Sequence, residues 1–129
     1  MPRILIVDDD IQVRALLVQQ LQRDGYLVDL ARSGPEALDM IHLQRPDLML
    51  LDLALPGCNG AEVLSRLQGE GLLEALQVLV LTAMDGPMLQ EAEAFGKPVM
   101  GKPFRLSDLR QRVHALLTSD SRAQMSVTG

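Results

Sequence analysis

Short, uninterrupted apolar runs alternate with longer stretches of helical periodicity along almost the whole chain. That alternation restricts the fold more than any other feature. Ile4 to Val7 (ILIV), Leu48 to Leu53 (LMLLDL) and Val78 to Thr82 (VLVLT) lack the polar alternation of a half-solvated strand. Strands of that kind need cover on both faces, which parallel sheets receive from crossover helices. Two weaker runs, Tyr26 to Ala31 (YLVDLA) and Pro98 to Gly101, read as further strands.

The segments between them are helical in pattern. Val13, Leu16, Leu17 and Leu21 share one face, and Gly25 closes that helix. Gly34-Pro35-Glu36 opens a second with proline in its first turn; Leu38 and Ile41 share its apolar face, and Pro46 ends it. Asn59 with Glu62 resembles a capping box ahead of Val63, Leu64 and Leu67, and Gly69 and Gly71 break that helix. Residues 84–95 predict a short helix. Ser107 is expected to cap a last one with Leu109, Val113, Leu116 and Leu117 inward. Successive β–α units predict a doubly wound α/β domain, a parallel sheet between two helical layers. It is expected to occupy residues 1–118, with 119–129 a polar tail or the start of a linker.

With only Tyr26, Phe95 and Phe104 as aromatics, the core must be built from Leu, Val, Ile and Met. A net charge of -5 argues against direct nucleic-acid binding by this chain. The single cysteine, Cys58, cannot form an internal disulfide, which fits a reducing compartment. The amino-terminal residues lack a signal-peptide layout, and no uncharged apolar run reaches the roughly 18 residues that span a membrane. The expectation is a cytoplasmic domain with no membrane partner.

Ligands of such sheets sit at the carboxyl ends of the strands. There the chain places Asp8-Asp9-Asp10, then Asp52, then Thr82-Ala83, then Lys102-Pro103-Phe104. Taken singly, Asp10 reads as a helix cap, Thr82 as an ordinary strand residue and Lys102 as a solvated charge. Taken together they form a cluster of carboxylates with one hydroxyl and one ammonium. Asp52 lies inside an apolar run, where an uncompensated carboxylate is costly. Several acids at one edge favour Mg²⁺, which takes a few carboxylates and fills its remaining positions with water or substrate oxygens.

The order strand-DD, strand-D-x-x-[LM]-P-x-x-x-G, strand-[TS]-A, strand-K-P-F resembles the receiver domain of two-component response regulators. The matching residues are Asp8 and Asp9, Asp52 with Pro56 and Gly60, Thr82-Ala83, and Lys102-Pro103-Phe104. The resemblance implies a flavodoxin-like sheet of order 2-1-3-4-5 with five helices. It implies that Asp52 accepts a phosphoryl group from a sensor histidine kinase or histidine phosphotransfer protein. It implies Mg²⁺ held by Asp9, Asp52 and the Ala54 carbonyl, with Asp8 acting mainly through water. Lys102 would pair with one phosphoryl oxygen and Thr82 with another, and the Lys102-Pro103 bond would be cis. Such a domain is not an enzyme toward other molecules; it promotes only its own phosphorylation and slow dephosphorylation. An output domain or downstream protein, and a homodimer through the fourth helix, fifth strand and fifth helix, are the further partners implied.

Gly-Lys-Pro occurs twice, around Lys97 and Lys102. Phe104, Leu106 and Ser107 follow Lys102 as in the family, so Lys97 reads as a loop charge. Three departures stand out. Val99 replaces the usual aromatic, the interval from Thr82 to Lys102 is slightly short, and Gly86-Pro87 falls where the fourth helix should begin. The resemblance also implies that Ala54 and Met84 occupy the positions that flank the path of a hydrolytic water.

Three alternatives compete. A phosphorylation-independent interaction module fits the altered output face. A haloacid-dehalogenase-like phosphatase would use Asp8 and Asp10, but it needs an acidic pair after the lysine. Only Asp108 and Asp120 follow Lys102, neither ends a strand, and Asp52 is left unexplained. His42 and His114 suggest a phosphohistidine carrier, yet both read as exposed helix residues.

Overall fold

The computed structural model describes residues 1–55, 59–83 and 88–128. Its elements run β1 (Arg3–Val7), α1 (Ile11–Arg23), β2 (Leu27–Ala31), α2 (Gly34–Leu43), β3 (Leu48–Asp52), α3 (Gly60–Gly69), β4 (Gln77–Ala83), α4 (Met88–Glu93), β5 (Val99–Lys102) and α5 (Leu106–Thr128). The strands form one parallel sheet of order β2-β1-β3-β4-β5. Both the architecture and the order agree with the sequence. Pro56, Cys58, Met84, Gly86 and Pro87 lie outside the described residues.

The apolar runs feed two cores by simple alternation. Leu5, Val7, Met49, Leu51, Val78 and Val80 point to one face, under α2, α3 and α4. Ile4, Ile6, Leu48, Leu50, Leu79 and Leu81 point to the other, under α1 and α5. Each fully buried side chain of this size contributes about 1.5–3 kcal/mol, so all three central strands are needed on both sides.

Asn59 caps α3 as the sequence suggests, and Ser33 adds a cap on α2. Ser33 and Asn59 accept from the N–H groups of Glu36 (3.2 Å) and Glu62 (2.9 Å). Gly25, at φ 95, lets the end of α1 turn so that Tyr26 N–H donates to Leu21 O at 3.1 Å.

Four expectations need correction. Leu16 is 46% exposed, because Val13, Leu17 and Leu21 already fill the buried stripe of α1 and Leu16 falls at its edge. The second strand starts at Leu27, since Tyr26 still belongs to the helix-closing turn. Ser107 lies inside the first turn of α5; the opening hydrogen bond is accepted by the Arg105 carbonyl at 3.1 Å. Finally, α5 continues over residues 119–128, read from the sequence as a tail. No glycine or proline interrupts Ser119 to Thr128, so a helix already nucleated by its packed half can propagate without apolar periodicity.

Candidate functional site

The chain leaves β1 toward β2 on one side and reaches β3 on the other. The crevice between the carboxyl ends of β1 and β3 is therefore the topological switch point of the sheet. Asp8 directly follows β1, and Asp52 is the last residue of β3. On the neighbouring strands, Thr82 pairs with Gly101 and Ala83 with Lys102. The register thus brings Asp8, Asp9, Asp52, Thr82 and Lys102 to one edge.

Lys102 is the centre of the cluster. Its Nζ donates to Asp8 Oδ2 at 3.0 Å and to Asp52 Oδ2 at 3.1 Å. The other oxygens are held by the backbone: Asp10 N–H donates to Asp8 Oδ1 at 2.9 Å, and Ala54 N–H to Asp52 Oδ1 at 3.0 Å. Asp8 is fully buried, Asp52 and Thr82 are nearly so, and Asp9 is exposed. Among the described residues, Thr82 Oγ1 makes one long contact, 3.5 Å, to the Ala83 carbonyl. The Lys102-Pro103 bond is cis, and among the described residues it is the only cis bond, so Lys97-Pro98 is trans. Lys102 thus already spans two carboxylates, one of them 94 residues away, which the sequence did not show.

Asp10 has a different task. Its side chain accepts from the N–H groups of Gln12 (2.9 Å) and Val13 (3.3 Å) and caps α1. His42 and His114 are exposed on α2 and α5. Lys97 lies in the loop between α4 and β5, as the sequence suggests, and its Nζ donates to the carbonyls of Leu73 and Leu76, both at 2.9 Å.

The segment after Asp52 is pinned by close approach. Leu53 O accepts from Leu55 N–H at 3.1 Å and Gly60 N–H at 2.8 Å. A Cβ on Gly60 would lie 2.8 Å from Asp52 O and from Leu53 Cα. Backbone cannot rotate away as a side chain would, so Gly60→Ala should destabilise the fold by about 1–3 kcal/mol, the usual cost of overpacking. Urea denaturation checks this, and a variant as stable as wild type would remove the constraint.

Electrostatics oppose a charged Asp52. Burial raises its pKa and the charge of Asp8 adds to this, while the Ala54 N–H and Lys102 act against them without cancelling the rise. For Lys102 burial acts downward, but hydrogen bonds and charges from Asp8 and Asp52 prevail and its pKa is raised. A raised carboxyl pKa means that ionising Asp52 costs folding stability. That cost is absent below the unfolded carboxylate range, appears as pH rises through it, and persists at neutrality. Asp52→Asn should therefore melt at higher temperature than wild type at pH 7 in EDTA, and the gain should shrink on acidification toward pH 4. Thermal melts at both pH values check this; a lower melting temperature at pH 7 would contradict it.

One ligand oxygen from each of Asp8, Asp9 and Asp52 can be chosen so that all three lie within 4.8 Å of one another. Asp8 and Asp52 share the Lys102 ammonium and Asp9 adds a third carboxylate, so oxygen donors outnumber the cation. Hard oxygen donors in that excess suit a Mg²⁺-sized divalent ion. Ala54, exposed two residues after Asp52, lies close enough in sequence to add its carbonyl.

A profile described as the response regulator receiver domain matches residues 4–114. The chain belongs to this family. It is a receiver domain of two-component signalling systems. It is 45% identical over 117 residues to the response regulator MprA of Mycobacterium tuberculosis, covering 89% of this chain and 50% of MprA. The receiver thus spans about half the length of the curated relatives it matches. Among solved structures it resembles Vibrio cholerae chemotaxis protein CheY4, with TM-score 0.80 and 30% identity over 90% of this chain and 98% of CheY4. It also resembles Thermotoga maritima response regulator TrrA, solved in complex with Mg²⁺-BeF, with TM-score 0.79 and 32% identity over 90% of this chain and 99% of TrrA. Among the described residues, no helix is long and apolar enough to cross a membrane.

Proposed function

We propose that Asp52 is the phosphoacceptor of this receiver, taking a phosphoryl group from the histidine of a sensor kinase or of a phosphotransfer protein in the cytoplasm. The observation that carries this reading is the convergence of Asp8, Asp9 and Lys102 on a buried Asp52 whose oxygens are both oriented. The Asp52 carboxylate attacks phosphorus and forms an aspartyl phosphate. The bond from phosphorus to the donor imidazole breaks, and the imidazole leaves with the electron pair and takes up a proton. Ala54 N–H holds one carboxylate oxygen in place during attack. Lys102 keeps Asp8 and exchanges Asp52 for a phosphoryl oxygen; the Thr82 hydroxyl turns from the Ala83 carbonyl toward another. A magnesium ion would be held by Asp9, Asp52 and the Ala54 carbonyl, with Asp8 acting mainly through water, and would supply positive charge against the phosphoryl oxygens.

The domain acts on itself and not on other molecules. Its phosphorylated surface addresses an output region, as the greater length of the relatives suggests, or a separate protein or second copy meeting the α4–β5–α5 face. Capping by Asp10 supports this chemistry over a phosphatase that would need Asp10 at the reacting centre. The test is incubation of wild type and Asp52→Asn with acetyl phosphate and Mg²⁺, read by intact mass. One phosphate on wild type and none on the variant is expected. A wild type that takes up none would leave an interaction module.

A further inference from the structure

Asn59 is the only asparagine of the chain, and a glycine follows it. The side-chain carbonyl carbon of an asparagine can reach the next backbone nitrogen, and a glycine, with no Cβ, leaves that nitrogen unshielded. In an unfolded chain such a pair cyclises and loses ammonia. The start of α3 holds both reacting groups out of this geometry. Gly60 N–H donates to Leu53 O at 2.8 Å, so the attacking nitrogen is engaged. Asn59 Oδ1 accepts from Glu62 N–H at 2.9 Å, which fixes the carboxamide as the cap of α3. Ring closure would need Cγ to swing over the Gly60 nitrogen, by rotation about the Asn59 Cα–C bond away from its extended ψ of 163.

The packed fold leaves little room for that rotation. Gly60 is buried, and its Cα faces Asp52 O and Leu53 so closely that even a methyl group would stand 2.8 Å from them. A backbone shift at Gly60 therefore presses on the last residue of β3 or breaks the bond to Leu53 O. The reaction must wait for a local opening of the helix start.

We propose that Asn59-Gly60 is a self-modification site held shut by the fold, which deamidates when the start of α3 opens and whose isoaspartyl product cannot return to the slot beside Asp52. The Gly60 nitrogen gives its proton to solvent base and attacks Asn59 Cγ. The bond from Cγ to the side-chain nitrogen breaks, and ammonia leaves with the electron pair and one proton from solvent. Water then opens the succinimide. Attack at Cγ gives an ordinary aspartate, which still caps a helix. Attack at the main-chain carbonyl gives an isoaspartate, in which the backbone runs through Cβ and Cγ. That path is one methylene longer ahead of Gly60, so the glycine cannot keep its contact with Leu53 O while α3 stays in register. The loss of ammonia does not depend on phosphorylation; only the consequence for phosphate uptake rests on Asp52 being the acceptor.

The whole chain is incubated in mildly alkaline buffer, folded or in guanidinium chloride, and residue 59 is followed by peptide mass spectrometry that separates aspartate from isoaspartate. Folding should slow the loss of ammonia by about tenfold or more, because only the locally opened fraction reacts. Chains carrying isoaspartate at position 59 are then purified, refolded and melted beside wild type and Asn59→Asp. Asn59→Asp should melt close to wild type and the isoaspartyl chain clearly below both. Melting involves no phosphate, so this outcome is separate from the test of Asp52. Deamidation as fast in the folded protein as in the unfolded chain, or an isoaspartyl chain that melts with Asn59→Asp, would overturn the proposal.

Discussion

Lys102→Ala should accept a phosphoryl group from acetyl phosphate about 10²–10³-fold more slowly than wild type, the usual loss on deleting one preorganised charge-stabilising donor. The lysine acts twice. On the proposed reading it presents an ammonium where the phosphoryl oxygens would arrive, and its charge is among the influences that hold down the pKa of Asp52. Without it the acceptor should ionise at higher pH, so the pH profile of phosphorylation should move upward as well. Folding will suffer too, because Asp8 is fully buried and would keep only the Asp10 N–H among its side-chain partners seen here. An unpaired buried group of this kind costs about 1–3 kcal/mol or more when charged. Rates should therefore be normalised to the folded fraction. Lys102→Arg keeps the charge but replaces a point donor by a planar fork, and should recover stability better than rate. An unchanged rate in Lys102→Ala would remove the lysine from the chemistry.

The second large effect concerns how long the phosphate lasts. Hydrolysis needs a water in line with the bond from Asp52 to phosphorus. Ala54, exposed beside Asp52, has no side-chain group that could orient one. Slow self-dephosphorylation is expected, over many minutes to hours, suiting a relay or a slow transcriptional response. Ala54→Asn restores a donor and acceptor at that position. It should shorten the lifetime by tens- to hundreds-fold, the scale on which a lost positioning contact slows a step. Phosphate loss after donor removal checks both halves. Emptying of wild type within seconds, or a longer lifetime in the variant, would contradict the account.

The sheet was legible because its central strands are buried on both faces. Ile4 to Val7 and Leu48 to Asp52 show no polar alternation, and only a parallel α/β sheet gives such runs two cores. The site was legible because the chemistry-bearing residues end successive strands, so topology alone gathers them. Other features depend on distances that no local pattern encodes. The amine of Lys97 finds carbonyls 21 and 24 residues away, in a turn whose shape is set by Leu73 and Leu76 packing inward. The two Gly-Lys-Pro tripeptides look alike in sequence, yet one lysine faces carboxylates and the other peptide carbonyls. Helicity past Ser119 escaped for the opposite reason, since propagation from a packed segment leaves no apolar stripe to read.

The most direct test of the central claim is to locate the phosphate. After reaction with acetyl phosphate and Mg²⁺, borohydride reduction converts the aspartyl phosphate to homoserine, which peptide mass spectrometry assigns to one position. Homoserine at position 52, and at neither 8 nor 9, is the predicted result. Homoserine at position 8, or phosphate on a histidine, would contradict it.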